Sequence, residues 1–409
     1  MSRLNELIQE LCPNGVEHKT LSELFNTRNG YTPSRSNQEF WTNGTIPWFR
    51  MEDIRENGRI LSEATQYVSE SAVKGNPFPA NSIIVATSAT IGEHALITVP
   101  SLANQRFTYL MLKDQYKDMF DAKFLYYYCF KLDIYCKECL NQGNFASVDM
   151  KKFAKFEFPL VPLEVQREIV RILDNFTELT AELTAELTAE LTARKKQYEY
   201  YRNKLLSFSM LNKSGGVILF KKLREIAEYS HKRINAAAMK KANYVGVDNL
   251  LQNRAGKVGS NYVPTKGNLT AYVVGDVLIG NIRPYLKKIW LAYNEGGASG
   301  DVLVIHLTDQ SVDVKYLYQV LADDKFFNYN MQFAKGAKMP RGSKQKIMDY
   351  IIPVPSLEEQ RRIVSILDKF DMLTTSISEG LPKEIELRRK QYEYYRNQLL
   401  SFPDNKATA

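Results

Sequence analysis

The feature that most constrains this chain is an internal copy. The segment "LEVQREIVRILDNF" at Leu163 returns as "LEEQRRIVSILDKF" at Leu357, an offset of 194 residues. At the same offset, "RKKQYEYYRNKLLSF" from Arg194 returns at Arg388 as "RRKQYEYYRNQLLSF", with 13 of 15 positions identical. Equal offsets leave no insertion between the landmarks, so one design is used twice. The residues before each copy diverge. "HKTLSELF" at His18 faintly echoes "FKKLREIA" at Phe220, and "PANSIIVA" and "VGDVLIG" each read as a turn entering a buried strand. The order is variable, shared, variable, shared, over residues 1–155, 156–208, 209–350 and 351–409.

The shared segments predict long helices. Pro162 and Pro355 stand just before them, and Ile169, Ile172, Leu173, Phe176, Leu179, Leu183, Leu187 and Leu191 keep a helical period. Unbroken helix from Leu163 to Phe208 would extend about 65–70 Å at 1.5 Å per residue. In the second copy, Gly380 and Pro382 within "EGLPKE" predict a kink or break. Apolar stripes on two such helices favour antiparallel or folded-back packing. Tyr198 and Tyr201, with their copies Tyr392 and Tyr395, continue the stripe three residues apart and read as packing residues rather than base stackers. In the variable segments "SIIVATSA", "ITVPSLANQRFTYLML" and "DVLVIHL" predict strands, while "KFLYYYCFKLDIYCKECLN" and "VKYLYQVLADDKFFNYNMQF" predict helices. The expected fold is α+β: two globular domains separated by two long antiparallel helices in a coiled coil, with an internal pseudo-two-fold repeat.

Between Thr180 and Leu191 the unit Thr-Ala-Glu-Leu occurs three times without a break. Each unit adds about 6 Å of helix and carries the leucine stripe about 40° past a full turn. A B-DNA step rises about 3.4 Å and turns about 34–36°, so the rotations nearly agree and the rises do not. A low-complexity Ala/Glu/Leu helix needs no partner to explain it, and both readings stand at this level.

Composition narrows the class. The chain is 44% hydrophobic and 24% charged, which is globular, and its 409 residues favour more than one domain. No stretch has the apolar length to span a bilayer and the N-terminus lacks a signal-peptide core, so a cytoplasmic protein is expected. Cys136 and Cys139 form an isolated C-x-x-C that, with Cys129, reads as packing thiols on a helix rather than half of a zinc site. The net charge of +8 is compatible with a polyanionic partner. Catalytic look-alikes fail. "GNPFPAN" lacks the second proline of an amino-methyltransferase motif, and "GAKMPRGSK" has the wrong spacing and order for a phosphate loop.

The duplicated "EQRRIVSILDKF" and "RRKQYEYYRNQLLSF" segments, the Thr-Ala-Glu-Leu run and the opening "GYTPSRSNQEFWTNGTIPWFRMEDI" together resemble the DNA-specificity subunit of a type I restriction–modification enzyme. The likeness is to the type IC group, which carries this repeat between two target-recognition domains, and it spans nearly the whole chain. The resemblance implies a non-catalytic subunit whose variable domains each read half of a split double-stranded DNA target. It implies helices that hold the readers apart and dock two methylation subunits, with restriction (motor-nuclease) subunits completing the endonuclease. S-adenosylmethionine, ATP and Mg²⁺ would belong to those partners, and the repeat number would set the spacer between half-targets.

Reading DNA needs cations for phosphates and forked or amide side chains for base edges. In the first variable segment, "TRNGYTPSRS" offers Arg28, Asn29, Thr32, Ser34 and Arg35, "IPWFRMED" adds Arg50, and "LANQRF" supplies Asn104, Gln105 and Arg106. Trp48 reads as a core anchor. In the second, "KGAKMPRGSKQK" carries Lys335, Lys338, Arg341, Lys344 and Lys346 without an acid, and "NIRPYLKK" offers Arg283, Tyr285, Lys287 and Lys288. Solvated surface loops are the alternative for each. The competing reading of the whole chain is a coiled-coil protein-interaction scaffold without DNA specificity.

Overall fold

The expected helix forms and runs unbroken for 43 residues, Leu163–Leu205. Its expected end, Phe208, lies outside the described residues of this computed structural model, which are 3–141, 146–207, 217–375 and 380–403. The second copy forms two helices, Leu357–Thr375 and Leu381–Leu399. Gly380 precedes the second of these, and Pro382 sits in its first turn, where a missing N–H removes no helical hydrogen bond. Glu379, in the expected breaking stretch, lies outside the described residues.

The chain divides into two compact units, Met1–Leu183 with Arg388–Ala409, and Thr184–Leu387. Each unit takes a segment of both shared helices, and the same positions meet in each. In the first, the rings of Phe176 and Tyr395 lie 6.2 Å apart and the hydroxyls of Thr177 and Tyr392 are 2.9 Å apart. In the second, Phe370, the copy of Phe176, packs against Tyr198 at 6.1 Å and Tyr201 at 5.3 Å. Of these tyrosines Tyr198 is buried, whereas Tyr395 stays 45% exposed. The leucine stripe is less buried than expected: Leu183, Leu187 and Leu191 are half-buried, and Leu179 is 60% exposed beside the Tyr392–Tyr395 face. The buried apolar positions of the Leu163–Leu205 helix, Val165, Ile169, Val170, Leu173, Tyr198 and Leu205, all lie outside the tetrads.

A buried glutamine ties each shared helix to its globular unit. Gln166 Oε1 accepts from the Asp121 N–H at 2.8 Å while Nε2 donates to the Met119 and Val161 carbonyls at 2.8 and 2.5 Å. Its copy Gln360 repeats this with the Asp313 N–H and the Ser311 and Pro355 carbonyls at 2.8, 2.9 and 2.8 Å. Asp121 and Asp313 are themselves helix N-caps, for Ala122–Glu138 and Val314–Leu321. One lysine from each capped helix then reaches a shared helix, Lys123 to Asp174 at 2.7 Å and Lys315 to Asp368 at 2.8 Å.

The first unit's variable part holds a five-stranded sheet in the order Phe25–Asn29, Phe107–Leu112, Ser82–Ala86, His94–Ile97, Ile60–Leu61. A three-stranded sheet has the spatial order Tyr67–Val68, Ile46–Phe49, Leu102–Ala103. The second unit has two four-stranded sheets. One runs Ala227–Tyr229, Val302–Leu307, Val277–Gly280, Ile289–Leu291, and the other Arg233–Asn235, Asn268–Tyr272, Gly296–Ala298, Tyr244–Val245. The expected helix through "VKYLYQVLADDKFFNYNMQF" forms as two, Val314–Leu321 and Asp324–Gln332, because the Asp323 carboxylate accepts from the Lys325 N–H and starts a new helix. Cys129, Cys136 and Cys139 are free and buried against the core. Among the described residues no helix is long and apolar enough to cross a membrane.

Candidate nucleic-acid interface

In the first unit three stretches far apart in sequence converge. Strand Ile46–Phe49 runs parallel to Leu102–Ala103, with Trp48 beside Leu102 and Phe49 beside Ala103, and the Asn104 N–H donates to the Phe49 carbonyl at 3.0 Å. The loop from Gly30 lies on this pair: Tyr31 N–H donates to the Ala103 carbonyl at 2.8 Å, and the Trp48 indole donates to the Tyr31 carbonyl at 3.0 Å. Gly30 is required there, since a Cβ would stand 2.4 Å from the Ala103 and Asn104 carbonyl oxygens. Trp48 is thus the core anchor expected, 3% exposed.

This junction gathers the first unit's polar candidates. The Arg35 guanidinium stacks 3.9 Å from the Trp41 ring and 5.1 Å from Trp48, and donates to Gln66 Oε1 at 3.3 Å. Such stacking orients a cation while leaving its edge in water. Arg50 lies 5.7 Å from the Trp48 ring, donates to Thr65 Oγ1 at 3.1 Å and is 4.0 Å from Glu52. Thr32 donates its hydroxyl to Gln105 Oε1 at 2.6 Å. Other candidates serve the fold. Asn104 Oδ1 accepts from the Arg106 N–H at 3.0 Å, which closes the turn, and Asn29 Oδ1 accepts from Thr108 at 2.8 Å. Ser34 shares a 2.8 Å hydrogen bond with Ser36, and Arg28 reaches the Lys74 carbonyl at 3.5 Å. Arg106 is exposed. Trp41, Thr65 and Gln66, which orient the arginines, were not singled out in the sequence.

In the second unit the two basic stretches meet. Lys335 and Arg341 exchange backbone hydrogen bonds of 2.9 and 2.8 Å, closing a hairpin whose turn uses Gly336 at φ +107°. Ile282 bridges to Arg341, the Gly342 N–H donates to the Asn281 carbonyl at 3.1 Å, and the Arg283 N–H donates to the Pro340 carbonyl at 2.7 Å. Arg283 itself is held at φ +53° and exposed. Arg341 leans on Asp301 at 3.2 Å, whereas Lys338 is exposed with no ion pair among the described residues. Lys344 opens a short helix capped by Ser343, and Lys346 lies 3.9 Å from Asp349 and 5.3 Å from the Phe333 ring. Tyr285 is 49% exposed. Lys287 and Lys288 are committed elsewhere: Lys287 pairs with Asp324 at 2.7 Å and Lys288 donates to the Val247 carbonyl. Loss of hydration pushes both ammonium groups below the usual lysine range.

The two junctions share a frame. Tyr244–Val245 runs parallel to Gly297–Ala298, and the Ser299 N–H donates to the Val245 carbonyl at 2.9 Å, matching Asn104 on Phe49. The Arg50 N–H donates to Asp53 Oδ2 at 2.7 Å, and the Gly246 N–H donates to Asn249 Oδ1 at 2.6 Å. A Ser88–Ser147 bridge stands where the second unit has Ile282–Arg341. Among the described residues no group of histidines, cysteines and acids could hold a metal ion.

The family model described as "Type I restriction modification DNA specificity domain" matches residues 13–193 and again 218–387. The chain belongs to that family. The doubled match coincides with the doubled frame. Among relatives of the specificity family, the chain is 44% identical over 402 residues to the type I restriction enzyme EcoprrI specificity subunit of Escherichia coli, covering 93% of each. It is 34% identical over 274 residues to the EcoR124I/EcoR124II specificity subunit of the same species, covering 60% of this chain and 61% of that one. The fold resembles that of a chain from a solved type I restriction–modification system, with a TM-score of 0.63 and 14% identity over 95% of this chain and 98% of that one. It also resembles the HsdS subunit of Thermoanaerobacter tengcongensis, with a TM-score of 0.51 and 14% identity over 95% and 96%.

Proposed function

We infer that this chain is the DNA-recognition subunit of a type I restriction–modification complex and has no catalytic role of its own. Each globular unit reads one half of a bipartite double-stranded DNA target. The observation that carries this reading is the shared frame with unshared tips: one hydrogen-bonded junction built twice, presenting different polar side chains each time. Two detectors of one construction and different specificity are what a split, asymmetric target requires.

Within that reading Arg35, Arg50 and Gln105 are the base-edge candidates of the first unit, and Arg283, Lys338 and Arg341 face DNA in the second. Guanidinium forks and carboxamides suit base edges and phosphates, and the remaining basic side chains supply the salt-dependent attraction. The shared helices dock two methylation subunits, and restriction subunits join through these. S-adenosylmethionine, ATP and Mg²⁺ are used by those partners, in the cytoplasm with the host DNA. The uninterrupted tetrads of Thr180–Leu191 support placing the chain in the type IC group and assigning them the spacer between half-targets.

The test is to assemble the full chain with its methylation subunits and sequence the adenines methylated in a random DNA library. Two fixed sequence blocks at constant separation are expected. Methylation without sequence preference, or assembly with partners and indifference to DNA, would favour the scaffold reading instead.

A further inference from the structure

The shared frame allows the two units to be compared position by position, and one position is inverted. Arg50 in the first unit corresponds to Gly246 in the second, since each donates its N–H to the residue three further on, Asp53 or Asn249. Two residues on, Glu52 corresponds to Asp248. In the first unit Arg50 fills the space above the Trp48 ring and lies 4.0 Å from Glu52. In the second there is no side chain to fill it. A cavity of about 350 Å³ opens there instead, lined by Tyr244, Gly246, Asp248, Arg283, Ser299 and Asp301 among others.

Asp248 leans into the vacated position. A Cβ on Gly246 would stand 2.4 Å from Asp248 Oδ1, so the glycine is what lets the carboxylate lie where it does. The backbone at Gly246 is not in the left-handed region, so its conformation does not require glycine. Asp248 is exposed and forms no close ion pair among the described residues; the Lys288 ammonium in the same cavity attracts it but donates its hydrogen bond to the Val247 carbonyl, while Asp301 is held by Arg341. A solvent-exposed carboxylate on a face that meets phosphates is repelled by them, unless it accepts hydrogen bonds from a base.

Building on the reading above, we propose that Asp248, in the opening left by Gly246, is a specificity-determining residue of the second unit that accepts a hydrogen bond from an exocyclic base amine, cytosine N4 or adenine N6. The corresponding place in the first unit presents a cationic donor, Arg50, suited to guanine O6 and N7. Equivalent positions thus read opposite hydrogen-bonding character, by exchange of one side chain.

The experiment uses the full chain assembled with its methylation subunits and sequences methylated sites from a random library for the unaltered chain, Asp248→Ala, Asp248→Asn and Gly246→Arg. Discrimination at one base pair of the second block should relax by about tenfold or more in Asp248→Ala. Gly246→Arg, which only has to push aside a side-chain end, should alter the preference at that same base pair. The first block should persist in every variant, which shows that the complex has assembled. If Asp248→Ala yields no complex, the near-isosteric Asp248→Asn carries the same expectation. Unchanged second blocks in the assembled variants overturn the proposal alone. An unaltered chain that yields no bipartite target overturns it together with the reading on which it rests.

Discussion

The two proposed reading faces are built from different materials. In the first unit, cations rest on aromatic rings: Arg35 stacks on Trp41, and Arg50 lies over Trp48. In the second, they ride on backbone, on a glycine-turned hairpin from Lys335 to Arg341 and on the left-handed Arg283. Beneath each, the frame is the same parallel strand pair, with the same N–H to carbonyl contact from Asn104 or Ser299. Buried hydrogen bonds fix the frame because leaving one unmade is costly, whereas tip side chains in water can be exchanged at little expense to stability. That asymmetry is how one fold can acquire new specificities while still fitting the same supporting helices.

The comparison breaks first if the frames are not equivalent. Gln166→Ala and Gln360→Ala each strand three hydrogen-bonding groups of the same kind, and each should cost about 2–4 kcal/mol. Thermal unfolding of the two variants should show losses of similar size. A large loss in one and none in the other would mean that the units are tied to their helices differently.

Next come the tips. Arg341→Ala should weaken DNA binding or relax the second half-target by about 1–3 kcal/mol, and Arg35→Ala should do the same for the first. Competition binding against variant targets separates the two. Either substitution acting on the other unit's half-target would dissolve the division of labour, and no effect from Arg341→Ala would remove it from the interface.

The smallest effect concerns acid. The Lys221 ammonium, 2.6 Å from Asp309, holds that carboxyl down to about 2. A carboxyl lowered on folding stabilises the protein fully above its unfolded value, near pH 4, and that stabilisation is lost as pH falls toward 2. Asp309→Asn should therefore flatten the acid limb of a stability–pH curve by less than about 1 kcal/mol, since the pair is partly in water. In the first unit the matching lysine, Lys19, pairs instead with the more exposed Glu17 at 2.9 Å, so its contribution should be smaller still.

How much of this was legible in the sequence follows from where each signal resides. The 194-residue offset, the long helices, the helix start marked by Gly380 and Pro382 and the ring contacts of Tyr198, Tyr201 and Tyr395 are local or periodic, and the sequence carries them. That Gly30, Trp48 and Asn104 meet is a matter of strand register, which no short stretch records. The commitment of Lys287 and Lys288 to Asp324 and the Val247 carbonyl is equally non-local, so a basic run overstated the cations facing solvent. A subtler signal did exist. "WFRMED" and "YVGVDN" share an aromatic followed five residues later by Asp53 or Asn249, the side chains that cap the frame. Aligning those two stretches finds Gly246 and Asp248.

The central claim is that two like-built readers are held at a separation measured by the tetrad helix. Deleting Thr184–Leu187 removes one Thr-Ala-Glu-Leu unit, and the methylated sites of the assembled complex can then be sequenced from a spacer library. The account predicts both half-targets unchanged and the spacer between them shorter by about one base pair, matching the near-equal rotation of a tetrad and a base-pair step. An unchanged spacer, or an altered half-target, would contradict it.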